Sequence, residues 1–336
     1  MSSPKPKTLG QPDPVQKPLK VSYILVPGYS MLALSSAIEP LRSVNRLLGR
    51  TCYEWTIAAA QKGPVSASNG LDVQAAFDLG DAPHADLTIV VASLGLDGYR
   101  NKALERHLRN LRGHGRMVGA ISNATLLLAQ AGVVGARCVT IHWESIEGLV
   151  MQFPDLKVCG DIYRIEDGLL TAAGGTASMD MMLDLIGRRE GWTAASQVSE
   201  QFLHGPLRPA SEAQRSGLKW RYRLTDPRLE TAIRRMEDNL SKPLRIAQLA
   251  SEVDLSERQF ERLFHKALLK SPSQFYMELR LTTAYRLLVT TTSSLEEVAE
   301  STGFSSQSHF GRSFKRWCGR SPLAVRVASN SGMAAV

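Results

Sequence analysis

The chain has 336 residues, 43% of them apolar and 21% charged, a composition typical of two soluble globular domains. A membrane protein is excluded because no apolar run approaches the ~20 residues of a spanning helix. The net charge of +8 is uneven: residues 1–215 contain 21 Lys and Arg against 20 Asp and Glu, whereas residues 216–336 contain 19 against 12. We therefore expect only the C-terminal part to contact a polyanion.

The four cysteines are scattered, without a CxxC pair or zinc spacing, so we expect no metal, no cofactor and a reducing, cytoplasmic location. Residues 1–18 are rich in Pro, Lys and Gln, and we expect a disordered leader without a secretory signal. The same disorder is expected of the tail at 329–336.

Strand and helix patterns alternate through residues 19–203. Apolar runs at 20–26, 86–92 and 116–121 predict buried parallel strands, and amphipathic stretches at 32–48, 99–112 and 177–189 predict helices. Residues 162–165 and 169–172 are expected to pair as a hairpin. The pattern predicts a flavodoxin-like α/β domain, a mostly parallel sheet with helices on both faces, which binds ligands at the carboxyl ends of its strands.

One junction of this domain is expected to form the ligand site. The core strand that ends in Gly119-Ala-Ile runs straight into a helix, with Ser122 at the bend, which is the geometry of a nucleophile elbow. Asn123 and the amides after it are suited to bind an anionic group. Two interpretations of Ser122 stay open: a ligand contact, or an N-cap serine with no ligand role.

Other candidate site residues are separated along the sequence. His142 and Trp143 stand at the start of the next helix. Trp143, with Tyr29 and Tyr163, either forms an aromatic wall for a cationic ligand or is ordinary core. Glu39, on an otherwise apolar helix face, is either a pocket carboxylate or part of an interface ion pair.

Residues 204–227 are rich in Pro and Gly and predict an interdomain linker, followed by an all-α domain at 228–328. Within that domain an offset of fifty residues repeats the chemistry: Phe260 and Phe310, Arg262 and Arg312, Phe264 and Phe314, Ser271-Pro272 and Ser321-Pro322. Each copy predicts a short helix, a tight turn and a second helix with an apolar stripe and a polar, basic face. Such a pair fits a DNA major groove, whereas a solvated basic face on a plain bundle is the alternative.

The repeat resembles the AraC/XylS-type DNA-binding domain in Ile246-Ala-Gln-Leu-Ala, Leu255-Ser-Glu-Arg-Gln-Phe-Glu-Arg-Leu-Phe and Gly303-Phe-Ser-Ser-Gln-Ser-His-Phe. The first domain resembles the ThiJ/PfpI branch of the class I glutamine amidotransferase-like fold. The pairing of the two is similar to the GlxA-type group of AraC regulators, as carried by Ser36-Ala-Ile-Glu-Pro-Leu-Arg, Ile141-His-Trp-Glu and Ala173-Gly-Gly-Thr-Ala-Ser-Met-Asp.

This resemblance implies a ligand-responsive transcription factor of the bacterial nucleoid that binds double-stranded DNA with two helix-turn-helix motifs. It also implies a homodimer and contact with RNA polymerase, as expected of an activator of a catabolic operon. By position, base contacts are expected from Arg258, Glu261, Arg262, Gln307, Ser308, His309 and Arg312, and phosphate contacts from Lys266, Lys315 and Arg316. The helix from 273 to 289 would be the spacer between the two motifs.

The sequence departs from the hydrolytic members of the fold, which have a cysteine at the elbow where this chain has Ser122. A serine needs an activating base, for which the resemblance offers His142, with Glu39 as a third group. The elbow also has Ala120 and Ala124 instead of the flanking glycines.

We therefore expect no catalytic residues and a small-molecule effector, an amino acid or quaternary ammonium compound, bound by Glu39, Ser122, Asn123, His142 and Trp143. The alternatives are a DNA-tethered hydrolase or amidase that uses Ser122, and an architectural DNA-binding protein without a ligand.

Overall fold

A computed structural model describes residues 17–96, 98–215 and 217–330, so most of the predicted leader and tail lies outside the described residues. Its strands are β1 (Leu19–Leu25), β2 (Tyr53–Ala59), β3 (Gly63–Ser66), β4 (Asp72–Ala75), β5 (Phe77–Asp78), β6 (Leu87–Val91), β7 (Met117–Ile121), β8 (Cys138–Thr140), β9 (Lys157–Cys159), β10 (Tyr163–Glu166) and β11 (Leu169–Ala172). The helices of the same part are α1 (Met31–Leu48), α2 (Lys102–Gly113), α3 (Ala124–Gln130), α4 (Ile146–Gln152), α5 (Ala177–Glu190) and α6 (Trp192–Gln201), and Trp143–Ser145 form a 3-10 turn.

Seven of these strands form one sheet in the order β10-β11-β7-β6-β1-β2-β5. All neighbours are parallel except β10, which pairs antiparallel with β11 in the predicted hairpin. Every residue of β6 is buried, as expected of a central strand that is covered on both faces. β3 with β4 and β8 with β9 form two further two-stranded sheets.

The sheet carries helices on both faces, which confirms the predicted α/β class. On one face α1 and α5 bury Leu41 and Met181 against the strands, and α6 buries Val198 against α1 and α5. On the other face α2 and α3 bury Leu108 and Leu127. Because β6, β7 and β11 are parallel neighbours, their carboxyl ends meet at one edge of the sheet. This edge lies beside the start of α3, where the predicted site lies.

The second part of the chain is helical, as predicted: α7 (Leu218–Arg221), α8 (Pro227–Glu237), α9 (Ile246–Ser251), α10 (Glu257–Leu268), α11 (Pro272–Thr290), α12 (Leu295–Ser301), α13 (Gln307–Cys318) and α14 (Pro322–Asn330). It has two small cores. The first half of α11 contributes Phe275 and Tyr276 to the core of α7 to α10, and its second half contributes Leu281 and Leu287 to the core of α12 to α14. The spacer helix therefore belongs to both helix-turn-helix motifs.

Residues 204–215, in the interval predicted as a linker, are attached to the sheet domain. The fully buried carboxylate of Asp180 on α5 accepts hydrogen bonds from the backbone amide of Arg208 at 3.1 Å and from its Nε at 3.0 Å, and it lies 3.0 Å from Nε2 of His204. The side-chain amide of Gln214 donates to Thr140 Oγ1 at 2.8 Å and to Ile141 O at 2.9 Å. No helix in the described part of the chain is both long and apolar enough to cross a membrane.

Candidate nucleic-acid interface and ligand cavity

The second helix of each repeat copy, α10 or α13, is held by an aromatic pair. Phe260 and Phe264 on α10 are fully buried with ring centroids 4.8 Å apart, and Phe310 and Phe314 on α13 repeat this at 5.5 Å. Because these four rings face the cores, the opposite helix faces point into solvent. The residues predicted to contact DNA are all exposed there: Arg258, Glu261, Arg262, Lys266, Gln307, Ser308, His309, Arg312, Lys315 and Arg316.

Capping fixes where these helices begin. Ser256 and Gln259 form the predicted capping box at the start of α10, and Ser294 and Glu297 form the other predicted box, at the start of α12. Ser306 caps α13 by accepting a hydrogen bond from the amide of His309 at 3.2 Å. The N-terminal turns that would enter a groove are therefore held by side-chain caps.

Arg280 of the spacer helix α11 holds the turn that follows α12 in the second motif. Its Nε donates to the carbonyl oxygen of Thr302 and its Nη2 to that of Gly303, both at 2.7 Å, so it satisfies carbonyls beyond the end of α12. The guanidinium also lies 4.2 Å from the ring centroid of Phe304. Burial lowers the pKa of Arg280, but a guanidinium stays charged at neutral pH.

The basic side chains of the outer faces are free for a partner. Within the described residues, Arg262, Arg312 and Arg316 form no ion pair and no hydrogen bond with another side chain. An inward-facing arginine such as Arg280, in contrast, has hydrogen-bond partners within the chain. Uncompensated cations on one exposed surface are the electrostatic footprint of a polyanion-binding protein.

The predicted bend between strand and helix is present in the first domain. Ser122 follows β7 with φ of 60°, which is rare for a residue other than glycine and stores backbone strain. Its amide donates to Ala172 O at 2.8 Å, which ties the bend to β11. The N-cap of α3 is Asn123, and that side chain forms no capping hydrogen bond, so Ser122 does not act as the N-cap serine of the alternative interpretation.

The side chain of Ser122 is buried and closely packed. The residue is 4% exposed, and a Cβ on Gly174 would lie 2.9 Å from the Ser122 Cβ and 3.1 Å from its Oγ, so only glycine fits beside it. In the part of the chain that the structure describes, no hydrogen bond joins the Ser122 hydroxyl to His142. A nucleophilic serine is activated by a base within hydrogen-bond reach, the role for which His142 was the candidate.

His142 caps the turn that follows it. Its Nδ1 accepts a hydrogen bond from the Glu144 amide at 3.5 Å, so the ring proton of the neutral form is on Nε2. Burial lowers the pKa of His142, and Glu144 opposes this shift only in part. The imidazole is therefore neutral at neutral pH.

Asn123 lines a narrow cavity together with Gly95, Leu96, Leu126, Ile141, Ser145, Leu149, Gln152 and Thr290. The space open to the centre of a water molecule is about 10 Å³, enough for about one water. Two of its polar atoms, Asn123 Oδ1 and Ser145 Oγ, are buried and have no hydrogen-bond partner. Unpaired buried polar atoms are costly, and these two lie on the wall of the cavity, where a molecule inside it could reach them.

The indole of Trp143 lies between two arginines. The guanidinium of Arg215 is 4.7 Å from the ring centroid and that of Arg286, on the spacer helix, is 5.3 Å from it. Arg286 also forms an ion pair with Glu147 at 3.3 Å. Trp143 therefore contacts cations that belong to the chain itself, and its contact with a cationic ligand stays a prediction.

The remaining predicted residues lie elsewhere. Glu39 forms an ion pair with Arg42 on α1 at 2.6 Å and is not among the residues that line the cavity. Tyr29 and Tyr163 are both buried in the core on the α1 side of the sheet. The structure thus brings Asn123 to the cavity and places Ser122 and His142 next to residues that line it.

Several residues that line the cavity or contact its wall were not foreseen, among them Ser145, Glu147, Gly148 and Thr290. Ser145 and Gly148 lie in the segment directly after Trp143, where no sequence pattern marks them. Thr290 is the last residue of the spacer helix, more than 140 positions away in sequence. No pattern within either segment could have predicted that Thr290 contacts the segment after Trp143.

Comparisons with known proteins match both halves of the chain. The model of the DJ-1/PfpI family matches residues 22–188, and the model of a helix-turn-helix domain matches residues 249–328. The HTH-type transcriptional regulator CdhR of Pseudomonas aeruginosa is 39% identical over 307 residues, which are 91% of this chain and 90% of that protein. The HTH-type transcriptional regulator GlxA of Rhizobium meliloti is 33% identical over 314 residues, 93% of this chain and 97% of that protein.

A solved structure agrees with this similarity. The crystal structure of an AraC family transcriptional regulator from Pseudomonas putida superposes with a TM-score of 0.52 at 26% identity, over 55% of this chain and 100% of that chain. The predicted resemblance of both halves is thereby confirmed.

Proposed function

The chain belongs to the GlxA-type family of AraC transcriptional regulators, which join a DJ-1/PfpI domain to a helix-turn-helix domain, and from this we propose how its two sites work. The protein is a DNA-binding transcriptional regulator. We propose that residues 19–203 sense the effector, that 204–227 connect the domains and that 228–328 bind DNA.

The two recognition helices, α10 and α13, would enter successive major grooves on one side of the DNA, about 34 Å apart. Arg258, Glu261, Arg262, Gln307, Ser308, His309 and Arg312 would contact bases, and Lys266, Lys315 and Arg316 would contact phosphates. The observation that carries this proposal is that all these side chains are exposed above two matching pairs of buried phenylalanines. The experiment is a binding titration on operators selected from random DNA by the purified chain. If the selection enriched no sequence, the proposal that α10 and α13 contact bases would be contradicted.

The cavity beside Asn123 would be the effector site. Its support is the pair of unpartnered polar atoms, Asn123 Oδ1 and Ser145 Oγ, among apolar walls. A zwitterion of the amino-acid or quaternary ammonium type is our first candidate. The ammonium group of an amino acid could donate a hydrogen bond to Asn123 Oδ1, and the carboxylate of either ligand type could accept one from the Ser145 hydroxyl. Arginine, glycine betaine and carnitine would be screened by thermal shift, because a ligand at a hundred times its Kd adds about 2.7 kcal/mol of stability. Asn123→Ala should abolish any shift.

The first domain would act without catalysis. The supporting observations are that Ser122 lacks an activating hydrogen bond and is almost fully buried. A covalent label on Ser122 from a serine-directed phosphonate would contradict this proposal.

Finally, we propose that the protein acts as a homodimer and as an activator that contacts RNA polymerase. Sedimentation equilibrium and transcription in vitro from a selected operator, with and without the protein, are the tests. A monomer throughout, or no increase in transcript, would contradict these two statements respectively.

A further inference from the structure

The end of the spacer helix reaches the sensor domain. Arg286 of α11 forms the ion pair with Glu147 and stacks on Trp143, and one turn later Thr290 lines the cavity. Among the lining residues, Thr290 alone comes from the DNA-binding part of the chain. One wall of the cavity is thus supplied by the domain that binds DNA.

The contact is tight at Gly148 of α4. A Cβ at this position would lie 2.7 Å from Cγ2 of Thr291, closer than Cβ atoms approach other heavy atoms, and 3.3 Å from the carbonyl oxygen of Thr290. Thr291 is only 2% exposed. The absence of a side chain on Gly148 is therefore what allows α11 to dock on α4.

The docked arrangement leaves room for about one water, whereas any metabolite needs several times that space. Something must move to admit it. Leu126 and Leu149 are buried in the core beneath the sheet, so displacing them would disrupt the sensor domain. The docked helix end is held by the packing of Thr290 and Thr291 against Gly148 and by Arg286, whose ion pair with Glu147 is partly exposed and is therefore a weak restraint. Moving it leaves the core of the sensor domain intact.

We propose that the C-terminal end of α11 is the lid of the effector cavity, so that effector binding and docking of α11 on α4 exclude each other. This rests on the proposed function of the cavity. Because α11 contributes side chains to the cores of both helix-turn-helix motifs, the lid cannot open without moving both recognition helices as one body. The coupling between the two sites is therefore direct, since an effector that binds only the open state shifts the chain towards it.

A thiol probe tests the lid without knowledge of the effector. Ser145→Cys places a thiol in the cavity wall and removes an unpaired hydroxyl. Iodoacetamide is much larger than a water molecule, so it reaches this thiol only when the lid is open. The label is assigned by fragment-ion mass spectrometry to residue 145, because a tryptic peptide of residues 138–157 also carries the native Cys138. The Ser145→Cys chain should be labelled at least about tenfold more slowly when folded than in denaturant.

Two variants open the lid by different routes. Gly148→Ala, added to Ser145→Cys, introduces the clash with Thr291 while favouring the helix in which it stands, and Arg286→Ala removes the stacking and the ion pair. Each should raise the labelling rate about tenfold. Gly113→Ala, on α2 with open space around it, is the matched control and should leave the rate unchanged.

Labelling of the folded Ser145→Cys chain at the rate found in denaturant would overturn the proposal. Equal rates with and without Gly148→Ala and Arg286→Ala would overturn it as well. If thermal unfolding shows that the Gly148→Ala variant has not folded, the labelling rate of the Arg286→Ala variant alone tests the proposal. A thermal-shift screen without a hit speaks against the proposed effector, whereas the labelling rates report on the lid alone, so the two failures are distinguishable.

Discussion

Arg262→Ala and Arg316→Ala should weaken DNA binding in different ways. Both side chains are exposed, and among the described residues neither forms an ion pair, so truncation removes no intramolecular partner. The free energy of unfolding should therefore change by less than about 0.5 kcal/mol. Any larger effect on binding must come from the contact with DNA.

Arg262 points outward from the first turns of α10, four positions beyond Arg258, where a groove-bound helix reads bases. Loss of a bidentate contact to a base should cost about 1–3 kcal/mol, which is about 5- to 150-fold in Kd. The loss should be confined to operators with the correct base, so that preference at that base pair is relaxed. Arg312→Ala should do the same in the other half-site.

Arg316 lies nearer the end of α13 and should contact a phosphate. Arg316→Ala should weaken all sequences alike and reduce the slope of log K against log salt by about 0.9. Fluorescence anisotropy of a selected operator and its single-base variants, at three salt concentrations, separates the two effects. If Arg262→Ala weakened every sequence equally, or left affinity and preference unchanged, the assignment of α10 to the groove would be refuted.

Three further predictions concern the first domain. A serine-directed phosphonate should leave the intact mass unchanged, and a label at Ser122 would reverse our interpretation of the elbow. Asp180→Asn should cost about 3 kcal/mol in chemical unfolding, because it leaves the charge of Arg208 without its buried partner. Asp155→Asn, at an exposed position, is its control, and equal stabilities of the two variants would contradict the reasoning. Because the pKa of His142 is lowered from 6.5, its contribution to stability is complete above pH 6.5 and is lost as the pH falls through the lowered value. The free energy of unfolding should therefore fall less steeply below pH 6.5 in His142→Gln than in the parent chain, and parallel curves would contradict this.

The periodic features of the fold could be predicted from the sequence. The all-apolar run of β6 predicts a strand covered on both faces, and the aromatic pairs of α10 and α13 predict two buried helix faces fifty residues apart. These patterns are local, since each is set by neighbours within a few positions, and they were confirmed. The bend at Ser122 is local too, because a core strand and a helix meet there without a spacer.

The composition of the site could be predicted only in part. Asn123 follows from the bend, but Glu39 was placed near it by resemblance and instead pairs with Arg42, three positions on along the same helix α1. The carboxylate that pairs with Arg286, the arginine over Trp143, is Glu147. Whether a charged side chain turns towards a pocket or towards a neighbour depends on what packs against its helix, and the sequence around it does not encode that.

The sequence by itself determined that this chain has a parallel-sheet domain followed by a doubled helix-turn-helix with a basic outer face. Periodicity, turn residues and charge are properties of short segments, so each can be recognised from the residues of one segment alone. Only the tertiary structure decided that the spacer helix closes the cavity beside Asn123, because that wall joins Gly148 to Thr290 and Thr291 across the domains. Such a contact follows from the packing of surfaces that are far apart along the chain, and no pattern within either surface specifies its partner.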